Sequence, residues 1–173
     1  AAGISTSFLE EAVPLGCKVI RVMPNTPALI NAGTTVLAGG KFVTQEDLVV
    51  AEEIFKAVGS VTILPEKMLN AVTGLSGSGP AYVYVLIEAL ADGGVLAGLP
   101  RDVALKLAAE TVQGAARMVQ ETKFHPGQLK DMVTSPGGTA ITGLLQMEKA
   151  GIRGIIMETV LAATRRSQEL LRK

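Results

Sequence analysis

The residues best suited to chemistry in this chain are a hydroxyl and two glycines that lead into a predicted helix. They lie in the segment Thr134-Ser135-Pro136-Gly137-Gly138-Thr139-Ala140. Proline cannot donate a backbone hydrogen bond, and glycine adopts dihedral angles that are closed to other residues. Apolar residues then recur at spacings of three and four, which predicts a helix. The first N–H groups of a helix lack intrahelical acceptors, so a carboxylate or phosphate fits beside them.

The same segment also fits a purely structural interpretation. It can be a corner between two helices in which Ser135 or Thr139 is an ordinary helix cap. A nucleophilic role for Ser135 is not favoured, because no histidine or acid lies at a recognisable spacing from it. At this point the anion site and the simple corner both stay open.

Four further candidates each have an ordinary structural explanation. The glycine-rich segment 74–79 follows a predicted helix, whereas a dinucleotide-binding fingerprint follows a strand, so a flexible kink is favoured. Glu66 is predicted in the first turn of a helix, where an acid normally interacts with the helix dipole. His125 precedes a proline in a predicted loop and is interpreted as a surface histidine. Asn25 lies in a stiff turn after a strand, which is where open α/β sheets bind ligands.

Composition excludes several classes of function. Basic and acidic residues number 16 each, so net charge draws the chain neither to nucleic acid nor to an anionic membrane. One cysteine and one histidine exclude an internal disulfide and the usual zinc ligand sets, and we predict no metal site. The most apolar segment, 81–99, contains Glu88 and Asp92 and is not predicted to span a membrane. A reducing, cytoplasmic setting is predicted.

The elements that must position these residues change character after residue 65. Strands are predicted at 19–23, 34–38 and 61–64, and they alternate with helices begun by Ser7 with Glu10 and by Thr44 with Asp47. This pattern predicts an α/β layer, and three strands are fewer than an independent sheet usually has. We therefore predict the C-terminal half of a Rossmann-type sheet followed by a helical domain.

The helical part contains a segment without a polar face. Residues 81–87 are apolar on nearly every side, which is typical of a helix that is buried all round. Such burial is difficult within one small domain, so we predict that a second subunit covers this helix. A stripe of small residues that includes Ala104, Ala108 and Ala115 indicates close packing of neighbouring helices.

Read together, four ordered segments resemble the pyrroline-5-carboxylate reductase family. They are residues 21–27, 71–82, 89–94, and 125–131 continuing through 135–138 to 147–148. The resemblance implies an NADPH- or NADH-dependent enzyme that reduces the C=N bond of 1-pyrroline-5-carboxylate to L-proline. It implies a dinucleotide-binding domain whose C-terminal part is 1–65 and a helical dimerisation and substrate-binding domain at 66–173. It also implies interleaved homodimers with the active site at their junction with the nucleotide domain, and rings of dimers in many members.

The resemblance also assigns site residues. Ser135 and Glu66 are the expected catalytic residues, with Glu66 near the ring nitrogen. The substrate carboxylate is expected on the opening segment, at Ser135, Gly137, Gly138, Thr139 and Ala140. The cofactor is expected to contact Ala1, Ala2, Asn25 and Met132.

Two departures from the family pattern affect these expectations. Ala140 stands where the family usually has threonine, so a side-chain hydroxyl at that position is lacking. No G-x-G-x-x-G fingerprint occurs, and the chain begins Ala1-Ala2-Gly3. We therefore expect this chain to be the later part of a longer protein, and we expect it to bind cofactor poorly on its own. Two alternatives are a dimerising helical module without catalysis and another two-domain NAD(P)-dependent dehydrogenase. The second is disfavoured because no lysine-containing catalytic helix is evident.

Overall fold

The computed structural model describes residues 3–170, and contacts divide the chain into two compact units. The first unit takes residues up to Ala81 and resumes at Ile156, and the second is Tyr82–Ile155. The strands are β1 (Ile20–Met23), β2 (Gly33–Gly39) and β3 (Gly59–Ile63). The α-helices are α1 (Thr6–Ala12), α2 (Gln45–Lys56), α3 (Leu69–Val72), α4 (Gly79–Leu96), α5 (Arg101–Thr122), α6 (Pro126–Met132), α7 (Thr139–Lys149) and α8 (Ile152–Leu170). Short 3-10 turns cover Thr26–Ile30 and Glu66–Met68.

A three-stranded sheet with the order β1-β2-β3 forms the centre of the first unit. Strand β1 runs antiparallel to β2, with Val22 opposite Leu37, and β2 runs parallel to β3. One face of the sheet packs Met23 and Val36 against Leu69 of α3. The predicted α/β layer followed by helices is therefore confirmed, while the predicted domain boundary at 65/66 stays a prediction.

Of the two capping boxes predicted at the starts of α1 and α2, the structure confirms the second and not the first. Thr44 and Asp47 form the predicted capping box at α2, with each side chain bonded to the other's backbone N–H. The predicted capping box of Ser7 and Glu10 is wrong, because the N-cap is Ser5, two residues earlier, and its side chain accepts from the Phe8 N–H. Glu10 instead accepts a hydrogen bond from the backbone N–H of Lys41, which is distant in sequence.

The glycine-rich segment after α3 is helical, so the predicted flexible kink is wrong. Residues Thr73–Gly77 form a π-helical turn that joins α3 to α4 with little interruption. Gly74 is buried against α8, and a Cβ atom there would lie 2.7 Å from the carbonyl oxygen of Val160. The glycine is required for this close approach of two helices rather than for flexibility.

The second unit consists of helices whose closest contacts involve small residues. Ala91 of α4 is buried with Ala104 and Ala108 of α5, which confirms the predicted close packing for these two residues of the stripe, whereas Ala115 is exposed. The rest of α4 is largely uncovered within this chain: Val85 is 66% exposed and Leu96 is 91% exposed. Among residues 3–170, no helix is both long and apolar enough to cross a membrane.

Candidate active site

The segment that opens α7 forms a tight turn built on its proline and glycines. The Gly138 N–H donates to the carbonyl oxygen of Ser135 at 3.0 Å, which closes a four-residue β-turn. Gly137 has φ of +67°, as the third residue of a type II turn requires, and Pro136 precedes it. Residue types that are unremarkable singly thus fix one backbone geometry together.

Helix α7 begins without a side-chain cap, so the interpretation of Ser135 or Thr139 as an ordinary cap is wrong. Gly138 is the N-cap, and its carbonyl oxygen accepts from the Thr142 N–H and hydroxyl. The N–H groups of Thr139 and Ala140 find no backbone or side-chain acceptor within residues 3–170. These donors and the positive end of the helix dipole are free to meet an anion.

The Ser135 hydroxyl lies directly over the N-cap glycine. A Cβ atom on Gly138 would collide with Ser135 Oγ and would lie 3.1 Å from the Ser135 carbonyl oxygen. Ser135 is otherwise exposed. Glycine at this position therefore leaves the space that the hydroxyl occupies beside the N-cap of α7.

Glu66 belongs to the first unit. It was predicted to lie in the first turn of a helix, and it begins the 3-10 turn Glu66–Met68. It is not simply solvated. Its Oε1 accepts from the Thr6 backbone N–H at 2.7 Å and from Arg21 Nη1 at 3.2 Å, and its Oε2 accepts from the Thr6 hydroxyl at 2.5 Å. The side chain remains 27% exposed.

Arg21 lies on the buried face of strand β1 and is only 4% exposed. Its Nη1 bonds Glu66, whereas Nε and Nη2 are buried without a hydrogen-bond partner among residues 3–170. Burial alone would raise the pKa of Glu66, but the hydrogen bonds from Thr6 and the charge of Arg21 outweigh burial and lower the pKa below its ordinary value. Glu66 is therefore a carboxylate at neutral pH.

Asn25 has its side-chain amide engaged within the first unit. Its Oδ1 accepts from the Thr34 N–H at 2.9 Å, and its Nδ2 donates to the Ser76 carbonyl oxygen at 3.2 Å. The side chain thus ties the turn after β1 to the start of β2 and to the π-helical turn. Its predicted contact with a cofactor stays a prediction.

Of the other predicted cofactor contacts, the structure describes Met132 but not Ala1 and Ala2. Met132 is exposed at the end of α6, where it borders an apolar hollow of about 370 Å³ lined also by Met118, Val119 and Leu129. Ala1 and Ala2 lie outside the described residues. The structure brings Ser135, Gly137, Gly138, Thr139 and Ala140 together in the second unit and gathers Thr6, Arg21 and Glu66 in the first.

Sequence reasoning missed two roles. His125 is the N-cap of α6: its Nδ1 accepts from the Gly127 N–H at 3.1 Å, and Gln128 completes the capping box. The histidine-proline pair with glutamine three positions on was the available signal. The role of Arg21 was also missed, although a charged residue within an apolar strand is itself unusual.

No group of three or more potential metal ligands occurs within residues 3–170.

Comparison with known proteins identifies relatives along nearly the whole chain. The family model described as "Pyrroline-5-carboxylate reductase dimerisation" matches residues 66–170. A pyrroline-5-carboxylate reductase from Synechocystis sp. is 55% identical over 172 residues, which cover 99% of this chain. The chain spans 64% of that relative's length.

Solved structures give the same result for the fold. A pyrroline-5-carboxylate reductase from Coxiella burnetii matches with a TM-score of 0.93 and 36% identity, over 98% of this chain and 63% of the other. A pyrroline carboxylate reductase from Plasmodium falciparum, solved with NADP bound, matches with a TM-score of 0.92 and 36% identity, over 98% of this chain and 68% of the other. The three-stranded sheet is accordingly a partial Rossmann sheet, and the helices that follow form the dimerisation domain.

Proposed function

Because the chain belongs to the pyrroline-5-carboxylate reductase family, we propose that it supplies the substrate-binding part of an enzyme that reduces 1-pyrroline-5-carboxylate to L-proline with NADPH or NADH. The observation that carries this proposal is the uncapped start of α7. Two backbone N–H groups without acceptors lie there beside the Ser135 hydroxyl, above a turn that requires Gly137. A cyclic imino acid has one carboxylate, which fits such a donor set.

The turn would act by holding the substrate. A protonated imine accepts hydride without a covalent nucleophile, so the protein's main tasks are to bind and to orient. The Ser135 hydroxyl and the N–H groups of Thr139 and Ala140 fix the carboxylate, which fixes the face that the ring presents. Ala140 has no hydroxyl to offer the ring nitrogen, so the proton on that nitrogen is assigned to the substrate or to water.

Glu66 would act by electrostatics. A fixed carboxylate near the ring nitrogen favours the iminium form, which is the form that accepts hydride. The two hydrogen bonds from Thr6 and the contact with Arg21 keep Glu66 ionised, so its charge is available at neutral pH. Ser135 and Glu66 are accordingly the proposed catalytic residues, and both touch the substrate in the assembled enzyme.

The residues present fit a nicotinamide cofactor only at one end. Exposed Met132 offers an apolar contact, which suits the nicotinamide ring, and the contacts proposed for Ala1, Ala2 and Asn25 concern the same end. The sequence contains no G-x-G-x-x-G turn to cradle the phosphates. When bound, the reduced nicotinamide supplies the hydride.

We also propose that a second copy of this chain covers the exposed side of α4, which gives a homodimer, and that such dimers assemble further into rings. The matched dimerisation family and the exposed apolar residues of α4 support the dimer, notably Tyr84, Val85 and Leu90. Balanced charge gives no reason to propose nucleic acid or membrane as partners. The single cysteine is consistent with the cytoplasmic setting that we propose.

The test is steady-state reduction of 1-pyrroline-5-carboxylate by the protein at its natural full length, followed by consumption of reduced nicotinamide. Ser135→Ala is expected to raise KM for the imine, and Glu66→Gln is expected to lower kcat. Matched controls are Ser7→Ala and Glu53→Gln, which alter an exposed hydroxyl and an exposed carboxylate on helices α1 and α2. Unchanged kinetics in both site variants would refute the assignment.

The uncovered face of α4 also favours a second candidate, a dimerising module without a binding site of its own. Thermal unfolding with and without L-proline separates the two. A module shows no shift, whereas an intact site with ligand at 100 times Kd gains about 2.7 kcal/mol of stability.

A further inference from the structure

The carboxylate of Glu66 is held by donors that come from two distant parts of the chain. Thr6 at the start of α1 provides both its N–H and its hydroxyl, and Arg21 of β1 provides one guanidinium nitrogen. A carboxylate has about four acceptor positions. Two donors meet Oε1 and one meets Oε2, so one acceptor position on Oε2 remains, on a side chain that is 27% exposed.

We propose that Thr6 and Arg21 are positioning residues for the reduction: they hold the Glu66 carboxylate in one orientation and leave the free acceptor position of Oε2 for the protonated ring nitrogen of the substrate. This inference rests on the proposed function. It assigns to two residues, neither of which touches the substrate, the task of aiming the one that does.

Arg21 is suited to this task because its guanidinium has no other hydrogen-bond partner in the part of the chain that the structure describes. Its guanidinium is buried, and Nε and Nη2 meet no acceptor among residues 3–170, so Glu66 alone compensates its charge. A buried cation that loses its only counter-charge is strongly unfavourable. Glu66 is therefore restrained against turning away toward solvent, as an unpaired glutamate at a helix start would do.

Thr6 is suited because it contacts both carboxylate oxygens at once. The backbone N–H bonds Oε1 and the hydroxyl bonds Oε2, which fixes the rotation of the carboxylate plane. Thr6 is itself only 6% exposed, so water does not compete with Glu66 for its hydroxyl. The N-cap Ser5 orders the first turn of α1 by accepting from the Phe8 N–H, and Thr6 lies in that turn.

The charges around Glu66 agree with this arrangement. Arg21 from β1 is the charged group that bonds Glu66, and α1 contributes the uncharged Thr6. Burial opposes ionisation, and the donors from Thr6 and Arg21 reverse its effect, so the pKa of Glu66 lies below its ordinary value. Removing one donor raises that pKa, and the acidic limb of the pH profile then moves to higher pH.

The experiment compares Thr6→Val with Thr6→Ser in the protein at its natural full length. Valine has nearly the same shape as threonine and keeps the backbone N–H, so it removes only the bond to Oε2. Serine keeps the hydroxyl. Lys18→Met is the matched control, because it deletes the exposed ion pair with Asp47 in the same unit. The readouts are kcat and KM for the imine, KM for the nicotinamide, and kcat/KM against pH.

We expect Thr6→Val to lower kcat/KM for the imine about tenfold or more, as loss of a hydrogen bond to a charged group implies, with KM for the nicotinamide unchanged. Its acidic limb moves to higher pH, Thr6→Ser restores both values, and Lys18→Met matches the parent. A Thr6→Val variant that melts earlier but keeps the parent pH profile overturns the inference, and so does a Thr6→Ser variant no better than valine.

The outcomes separate this inference from the proposed function. A parent protein that does not reduce the imine refutes both. A parent protein that reduces it, loses activity in Glu66→Gln and is unaffected by Thr6→Val refutes only the positioning role. Arg21→Lys adds a second test, since it retains the charge and shortens the reach: it is expected to lower kcat and to move the acidic limb in the same direction.

Discussion

Gly138 offers a way to move the Ser135 hydroxyl without altering Ser135. Gly138 has φ of −75° and ψ of 169°, which any residue adopts, so alanine there causes no backbone strain. The added Cβ would collide with Ser135 Oγ and lie 3.1 Å from the Ser135 carbonyl oxygen. In Gly138→Ala the hydroxyl must therefore rotate away from the first N–H groups of α7.

The size of the effect follows from the bond that is lost. A hydrogen bond to a charged group contributes about 1.5–3 kcal/mol, so we expect KM for the imine to rise about 10-fold to about 150-fold in Gly138→Ala. Alanine is also a poorer N-cap than glycine, which costs about 1 kcal/mol of stability or less. Binding should thus weaken more than folding does.

A double-mutant cycle tests the reasoning. The parent, Ser135→Ala, Gly138→Ala and the double variant are compared by KM for the imine and by thermal unfolding. Once the hydroxyl is absent the alanine at 138 no longer displaces it, and only the 3.1 Å contact with the Ser135 carbonyl oxygen remains, so the double variant should bind little worse than Ser135→Ala. Gly143→Ala is the control, since a Cβ at that position in α7 meets no atom within 4 Å. Additive losses, or an unchanged KM in Gly138→Ala, would refute the proposed position of the hydroxyl.

Three further predictions concern stability. Glu66→Gln should lower the free energy of unfolding by about 3 kcal/mol at neutral pH, because a buried guanidinium loses its counter-charge. Since the pKa of Glu66 is lowered in the folded protein, its contribution to stability is present above the unfolded pKa and is lost as pH falls through the folded pKa. In urea unfolding the difference in unfolding free energy between the parent and Glu66→Gln should therefore vanish in acid, and a difference that is constant with pH would contradict this. Gly137→Ala, at φ of +67°, should cost about 1 kcal/mol, whereas Gly143→Ala should gain up to about 1 kcal/mol, so their melting temperatures should shift in opposite directions. Gly74→Ala should lose about 1–3 kcal/mol in thermal unfolding, because its Cβ would lie 2.7 Å from the Val160 carbonyl oxygen; an unchanged melt would rule out that packing.

Features set by neighbouring residues were predictable from the sequence. The turn at Ser135 follows from a proline followed by glycines, and the start of α2 follows from the hydroxyl and acid at Thr44 and Asp47. The end of α4 before Pro100 follows from the glycine and proline there. In each case the partner groups lie within four residues, so spacing alone carries the information.

Features set by distant residues were not predictable. Glu10 was expected to cap its own helix and instead bonds Lys41, and the glycine-rich segment after α3 was expected to be flexible, whereas its Gly74 packs against α8. Glu66 was expected to interact with the helix dipole in water, and it instead pairs with the buried Arg21 and is itself partly buried. A long-range contact can override a local preference at little cost, and nothing in a single sequence reports its partner.

The route of α8 has a consequence for how this protein is made. Its Ser167 hydroxyl bonds Asn70 across 97 positions of sequence, and Val160 packs on Gly74, so the first unit is finished only by the last residues described. During translation α3 and the π-helical turn leave the ribosome long before the helix that packs on them, because all of Tyr82–Ile155 is synthesised in between. Until α8 is synthesised, the surface on which it packs stays exposed, and exposed surface of this kind favours association between nascent chains.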